Sequence, residues 1–292
     1  MTGKKHITAG AMAVLLLLVF LIWRYDGVWK PYRKSASLSP AQTVVMAGST
    51  SMEKFANMLA ECYREAHPGV TLTAEFTGSS AGVQAVLSGR ADIGLSSRPL
   101  TTAEEASGAA AYVIAMDGIA VITDRDNPVT ALTTKQLADI YTGQIRDWQE
   151  LGGRKQPIVV AGREAGSGTR SAFEELLGIE DRCYYANELD SEGAMLARIA
   201  STPGAVGYVS FDVLDDTVCA LALDGVEATA ERVKAGSYPL CRSFLLVTKG
   251  ALEEQSRQVQ EIFAYLQTEE GRKLMRDAGL IVSDCHKCNN KP

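Results

Sequence analysis

Ala161-Gly-Arg-Glu-Ala-Gly-Ser-Gly-Thr-Arg170 is the stretch on which the fold of this 292-residue chain turns. Ahead of it, Pro157-Ile-Val-Val-Ala161 reads as a strand. Behind it, residues 169–177 read as a helix, with Phe173, Leu176 and Leu177 on one face and Gly178 as the stop. The loop between holds only glycine, small hydroxyl residues, Ala165, Arg163 and Glu164. Such a loop aims backbone N–H groups, hydroxyls and a helix N-terminus at one point, and that point attracts an anion. Arg163 brings a planar fork of donors to the same place.

The design occurs three times. Residues 43–47 form a short apolar strand, followed by Gly48-Ser-Thr-Ser51 and a helix over 52–66. Residues 70–76 alternate like a strand, Gly78-Ser-Ser80 turns, and 81–87 form a short helix. The third copy is Gly166-Ser-Gly-Thr169. Serine or threonine before a helix is also an ordinary N-cap, and Thr50 with Glu53 fits a capping box. Three copies, one carrying an arginine, favour a single anion site fed by several helix ends.

These stretches carry a resemblance to the phosphate-binding proteins that serve ABC importers. Ala47-Gly-Ser-Thr-Ser51, Gly78-Ser-Ser-Ala-Gly-Val83, Ala91-Asp-Ile-Gly-Leu-Ser-Ser-Arg-Pro-Leu100, Ile140-Tyr-Thr-Gly143, Arg163-Glu-Ala-Gly-Ser-Gly-Thr169, Gly204-Ala-Val-Gly-Tyr-Val209 and Tyr238-Pro-Leu240 follow the family order over about residues 41–282. The resemblance implies an α/β fold of the type II periplasmic-binding-protein kind, with two lobes and the ligand between them. Its sheets are expected to be mainly parallel and covered by helices. Lobe one would comprise residues 41–117 plus 240–292, and lobe two residues 118–239.

Carried over position by position, the family's phosphate ligands fall on Thr50, Ser51, Ser79, Arg163, Ser167, Gly168 and Thr169. Ser97 stands where some members have an aspartate that accepts the phosphate proton and helps reject sulfate. That places the discrimination between oxyanions in question more than binding itself. Arg98 is a further candidate, either on the anion or paired with Glu164. Neutral donors in a closed cleft would avoid the cost of burying several cations. No cofactor and no metal is called for. The implied partners are inorganic phosphate and the permease subunits of an ABC transporter.

The rest of the chain bears on location and on rival functions. The formal net charge is -6, but the first 34 residues hold six basic side chains and one acidic one. The remainder therefore carries 23 basic and 34 acidic residues, a poor composition for a nucleic-acid partner. Lys4-Lys5 precedes an apolar run over residues 7–23, read as an export signal or membrane anchor, with an uncleaved anchor favoured over a cleaved signal, and residues 24–40 complete a polar tether. The body is then expected outside the cytoplasm. Six cysteines, Cys62, Cys183, Cys219, Cys241, Cys285 and Cys288, suggest disulfides whose pairing the sequence leaves open.

Along the body, strands alternate with helices. Strands are read at 112–115, 119–123, 204–210 and 218–223, and helices at 134–141, 192–200, 253–266 and 269–278. Met116-Asp-Gly118 reads as a crossover between lobes, Tyr238-Pro-Leu240 as the start of the return strand, and Trp148 as core. Two alternatives stay open. A membrane-tethered oxyanion sensor or adaptor would share the fold. A serine hydrolase would use Ser80 in Gly78-Ser-Ser-Ala-Gly82, but the chain's histidines, His6, His67 and His286, give it no evident base.

Overall fold

A computed structural model describes residues 42–282. The expected anchor over 7–23 and the pair Cys285 and Cys288 lie outside them. The chain runs through β1 (Gln42–Gly48), α1 (Glu53–Ala66), β2 (Val70–Phe76), α2 (Ser79–Leu87), β3 (Ile93–Ser96), α3 (Thr102–Ala106) and the long strand β4 (Ala109–Thr123). It continues through β5 (Ala131–Leu132), α4 (Thr134–Tyr141), β6 (Val159–Arg163), α5 (Gly168–Leu177), β7 (Asn187–Leu189), α6 (Glu192–Ser201), β8 (Ala205–Ser210), β9 (Cys219–Ala220), β10 (Ala222–Leu223) and α7 (Ala230–Lys234). It returns through β11 (Cys241–Lys249) and closes with α8 (Arg257–Gln267) and α9 (Glu269–Asp277).

One sheet path, β2-β1-β3-β11-β4-β8-β6-β7, runs through the whole body. Its two outer parts are parallel, as βαβ units require: β1 pairs with β2 and β3, and β6 with β7 and β8. The middle is antiparallel, because β4 carries the chain out of one half and β11 brings it back alongside. The two strands expected at 112–115 and 119–123 are therefore one strand. Residues 109–118 of β4 pair with β11, and residues 119–123 pair with β8. Met116-Asp-Gly118 passes between the halves without leaving extended geometry. The expected strand over 218–223 is instead two short pieces: β9 pairs with β4 and β10 with β5.

Each half buries its own apolar core. In the first, Met46, Phe55, Leu59, Ile93, Phe244 and Ile262 pack together beneath α1, α8 and α9. In the second, Tyr141, Trp148, Phe173, Tyr208 and Tyr238 pack together, and the Trp148 indole donates to Gly204 O at 2.9 Å. Aromatic stacking closes this core, with Phe173 over Tyr208 at 4.0 Å between ring centroids. Cys62, Cys183, Cys219 and Cys241 are free thiols, so no disulfide joins any two of the described cysteines. No helix among the described residues is long and apolar enough to cross a membrane.

Candidate anion-binding site

The three loop–helix junctions converge where the two halves face each other. At two of them the ordinary capping explanation fails. The capping box expected of Thr50 and Glu53 does not form: a 3₁₀ turn, Thr50–Met52, precedes α1, and neither that turn nor α1 receives a side-chain cap. The N-cap of α2 is Gly78, which has no side chain to offer. At the third junction Ser167 does cap, its Oγ accepting from Arg170 N at 3.3 Å. The orphan N–H groups of a helix start require partners, and the hydroxyls at the first two junctions are left to serve something else.

Arg163 is the hub. It is wholly buried, yet its guanidinium reaches across the cleft, and Nη2 donates to Thr50 Oγ1 at 2.8 Å. Nη1 donates to Glu192 Oε1 at 2.8 Å, and Nε donates to Leu189 O at 3.1 Å. Glu164 lies on the outer side, 3.2 Å from Nε. Burial pushes the Glu164 carboxyl up, against the pull of Arg163. Behind the hub, the backbone N–H of Arg163 donates to the Tyr208 hydroxyl at 3.1 Å, and its carbonyl accepts from Arg170 at 2.9 Å. Arg170 is held in turn by Glu174 and stacks on the Tyr185 ring. These supports fix the arginine before any ligand arrives.

The first half contributes a chain of hydroxyls. Ser49 Oγ lies 2.8 Å from both Ser51 Oγ and Ser97 Oγ, and Ser97 Oγ lies 3.3 Å from Ser79 Oγ. Ser79 Oγ also accepts from Ser97 N at 3.1 Å. The second half presses against this chain through Gly168. A Cβ on Gly168 would stand 2.2 Å from Ser79 Oγ and 2.4 Å from Ser97 Oγ, so only glycine admits the approach. Ser80 N donates across the cleft to Gly166 O at 3.2 Å. A pocket of about 260 Å³ opens beside Thr50, bordered by Glu53, Thr77, Glu164 and Asp190.

The structure thus brings Thr50, Ser51, Ser79, Ser97, Arg163, Ser167, Gly168 and Thr169 to one locus. Arg98 is not joined to them, and its expected partner was wrong. Its guanidinium forms a two-pronged ion pair with Glu104, at 2.7 and 2.9 Å, and Glu164 belongs to Arg163 instead. That pairing holds the Glu104 carboxyl below the usual range. Arg98 also donates to Ser80 Oγ at 3.0 Å, so the serine of the hydrolase alternative is bonded to an arginine. His67, the histidine among the described residues, stacks on Tyr63 at 4.0 Å between ring centroids.

Sequence reasoning missed three residues. Ser49 was read only as part of a turn, Glu192 only as the start of a helix, and Tyr208 only as strand. Glu192 is the most consequential: its Oε1 accepts from Arg163 and, at 2.8 Å, from Thr169 Oγ1, while Oε2 accepts from Ser210 N at 3.2 Å. An acid in the first turn of a helix is commonplace, so nothing local marked it.

A PBP superfamily domain matches residues 34–270. The phosphate-binding protein PstS of Bacillus subtilis (strain 168) is 34% identical over 248 residues, covering 82% of this chain and 80% of that one. A crystal structure of a putative phosphate ABC transporter substrate-binding protein with bound phosphate, from Clostridium perfringens, superposes with a TM-score of 0.80 at 38% identity, covering 83% of this chain and all (100%) of that one. An ABC-type phosphate transport receptor from Vibrio cholerae superposes with a TM-score of 0.71 at 33% identity, covering 83% of this chain and 100% of that one.

Proposed function

The chain belongs to the PstS-type phosphate-binding proteins of the PBP superfamily, and from that premise we propose that it captures inorganic phosphate outside the cytoplasm and hands it to an ABC phosphate transporter. The observation that carries this reading is Arg163: buried, held by Glu192, and bonded to Thr50 from the opposite half. Phosphate oxygens inserted there would meet the guanidinium and the Thr50, Ser79 and Ser167 hydroxyls. They would also meet the N–H groups of Ser51, Gly168 and Thr169, with Ser97 behind. Charge-assisted bonds of this kind are roughly twice as strong as neutral ones.

The lobes are proposed as residues 41–117 plus 240–292, and residues 118–239. The exchange of β4 partners between Gly118 and Ile119 supports that division. Residues 7–23 are proposed to tether the protein to the membrane, supported by the apolar run and the basic residues on both sides of it. The chain acts in this reading as a binding protein, with no covalent step.

Calorimetry on the purified protein, stripped of carried-over ligand, tests the proposal. One phosphate per chain is expected, with a gain of about 2.7 kcal/mol in unfolding free energy at a hundredfold excess over the dissociation constant. The absence of both binding heat and thermal shift with millimolar phosphate would sink it.

A further inference from the structure

Two threonines at the arginine have their hydrogens committed in opposite directions. Thr50 Oγ1 accepts from Arg163 Nη2 at 2.8 Å, so its own hydrogen is free for the cleft. Thr169 Oγ1 donates its single hydrogen to Glu192 Oε1 at 2.8 Å, so only its lone pairs remain. Neither hydroxyl makes any other bond among the described residues. Glu192 cannot easily release that hydrogen. It is buried, and its other bonds come from Arg163 Nη1 and Ser210 N, both of which donate and cannot accept. The serine hydroxyls of the opposite face are different, since in the Ser51–Ser49–Ser97–Ser79 chain either partner of each pair can donate.

We propose that Thr169, held as an acceptor by Glu192, receives the ligand's P–OH hydrogen and is the residue that selects phosphate over sulfate. The inference rests on the phosphate-binding reading above and names how that site chooses its ligand. Near neutral pH phosphate offers acceptor oxygens and at least one hydroxyl. The pair Thr50 and Thr169 presents one fixed donor and one fixed acceptor to match them. Sulfate has no hydrogen to give and would set an anionic oxygen against the Thr169 lone pairs in a buried site, a repulsion that discriminates by penalising the wrong ligand. Ser97 then need not carry a charge. Bonding to the Glu192 carboxylate makes the threonine oxygen a better acceptor than an isolated hydroxyl.

The test is a pair of titrations, with inorganic phosphate and with sulfate, on ligand-stripped wild type, Thr169→Val, Thr169→Ser and Glu192→Gln. Valine keeps the volume and loses the acceptor. Thr169→Val is expected to lower the phosphate-to-sulfate affinity ratio by roughly ten- to hundredfold, mainly through phosphate. Thr169→Ser should restore the ratio. Glu192→Gln should lower it even where overall affinity also falls, because an amide can turn its N–H towards the threonine oxygen; this variant decides if Thr169→Val fails to fold. Wild type that binds phosphate, with a ratio that neither Thr169→Val nor Glu192→Gln moves, overturns this inference alone. Wild type that binds neither anion overturns the functional reading and this inference with it.

Discussion

Arg163 Nη2 and Thr50 Oγ1 lie 2.8 Å apart across the cleft, although 113 residues separate them in the chain. The contact joins the two halves at the point where the anion is expected. Replacing Arg163 has two separable consequences. Phosphate affinity should fall by about 2–5 kcal/mol in Arg163→Ala, as when one partner of a buried charged hydrogen bond is cut away. The ligand-free fold should also lose about 3–5 kcal/mol, because Glu192 is left buried without its counter-charge. Adding Glu192→Ala should recover part of the stability and none of the affinity. Urea unfolding and calorimetry on the three proteins check both halves of the expectation.

Gly168 lies at the contact between the halves, and its substitution tests closure apart from folding. Its added Cβ would collide with Ser79 and Ser97 on the opposite face, with Ser79 Cβ itself 2.9 Å away. The clash exists only when the halves meet. Gly168→Ala should therefore leave ligand-free thermal stability within about 0.5 kcal/mol of wild type, since alanine also suits the first turn of α5. It should weaken phosphate binding by at least tenfold and raise the radius of gyration of the phosphate-loaded protein in small-angle scattering. A mutant that closes and binds normally would show that the approach of Gly168 is not needed.

Much of this was legible in the sequence because it is local. β2 spans the residues that alternation marked, 70–76, and α4 those marked at 134–141. The Gly-Ser loops point at one locus because strand, turn and helix start are all short-range features. What sequence did not give is the partner of each charge. Arg98 and Glu104 meet because Thr101 forms a capping box with Glu104 and swings that carboxylate back over the preceding turn. Glu192 reaches Arg163 from a different strand–helix unit, 29 residues on. Likewise the single strand β4 looked like two, because Asp117 and Gly118 interrupt its apolar run. Asp117 is accommodated only by long-range partners: Arg242 at 2.9 Å and the Ser210 hydroxyl at 2.8 Å.

That junction predicts a pH dependence. Both carboxylate oxygens of Asp212 are buried without a hydrogen-bond partner, and burial, then the nearby charge of Asp117, push its pKa up to about 7. Glu192 adds to the push, while Ser210 and Arg242 oppose it. An unfolded aspartate titrates near 3.9. Between about pH 4 and 7 the native state therefore holds a proton that the unfolded state has released, and stability from this group falls as pH rises through that window. Asp212→Asn should remove the effect. Its stability relative to wild type should grow from near zero at about pH 4 to on the order of 2–4 kcal/mol at pH 8. Urea midpoints across that range check it, and a parallel pair of curves would refute it.

Ser97 and Arg98 make opposite predictions about selectivity. Ser97 is fully buried between Ser49 and Ser79, whose hydroxyls can both turn their hydrogens towards it. A carboxylate there would gain those donors and would add a charged acceptor for the phosphate hydrogen. It would also need room that Gly168 now occupies from the other side. Ser97→Asp should therefore raise the phosphate-to-sulfate ratio while lowering the absolute affinity for both anions, and phosphate affinity should fall further at high pH as the dianion dominates. Arg98 is already satisfied by Glu104, Pro99 O and Ser80. Arg98→Ala should cost the fold about 3–5 kcal/mol by stranding Glu104, and should leave the ratio alone. Competition titrations with the two anions decide between them. A ratio that responds to Arg98→Ala and not to Ser97→Asp would show that the turn carrying Arg98, and not the serine face, bears on selectivity.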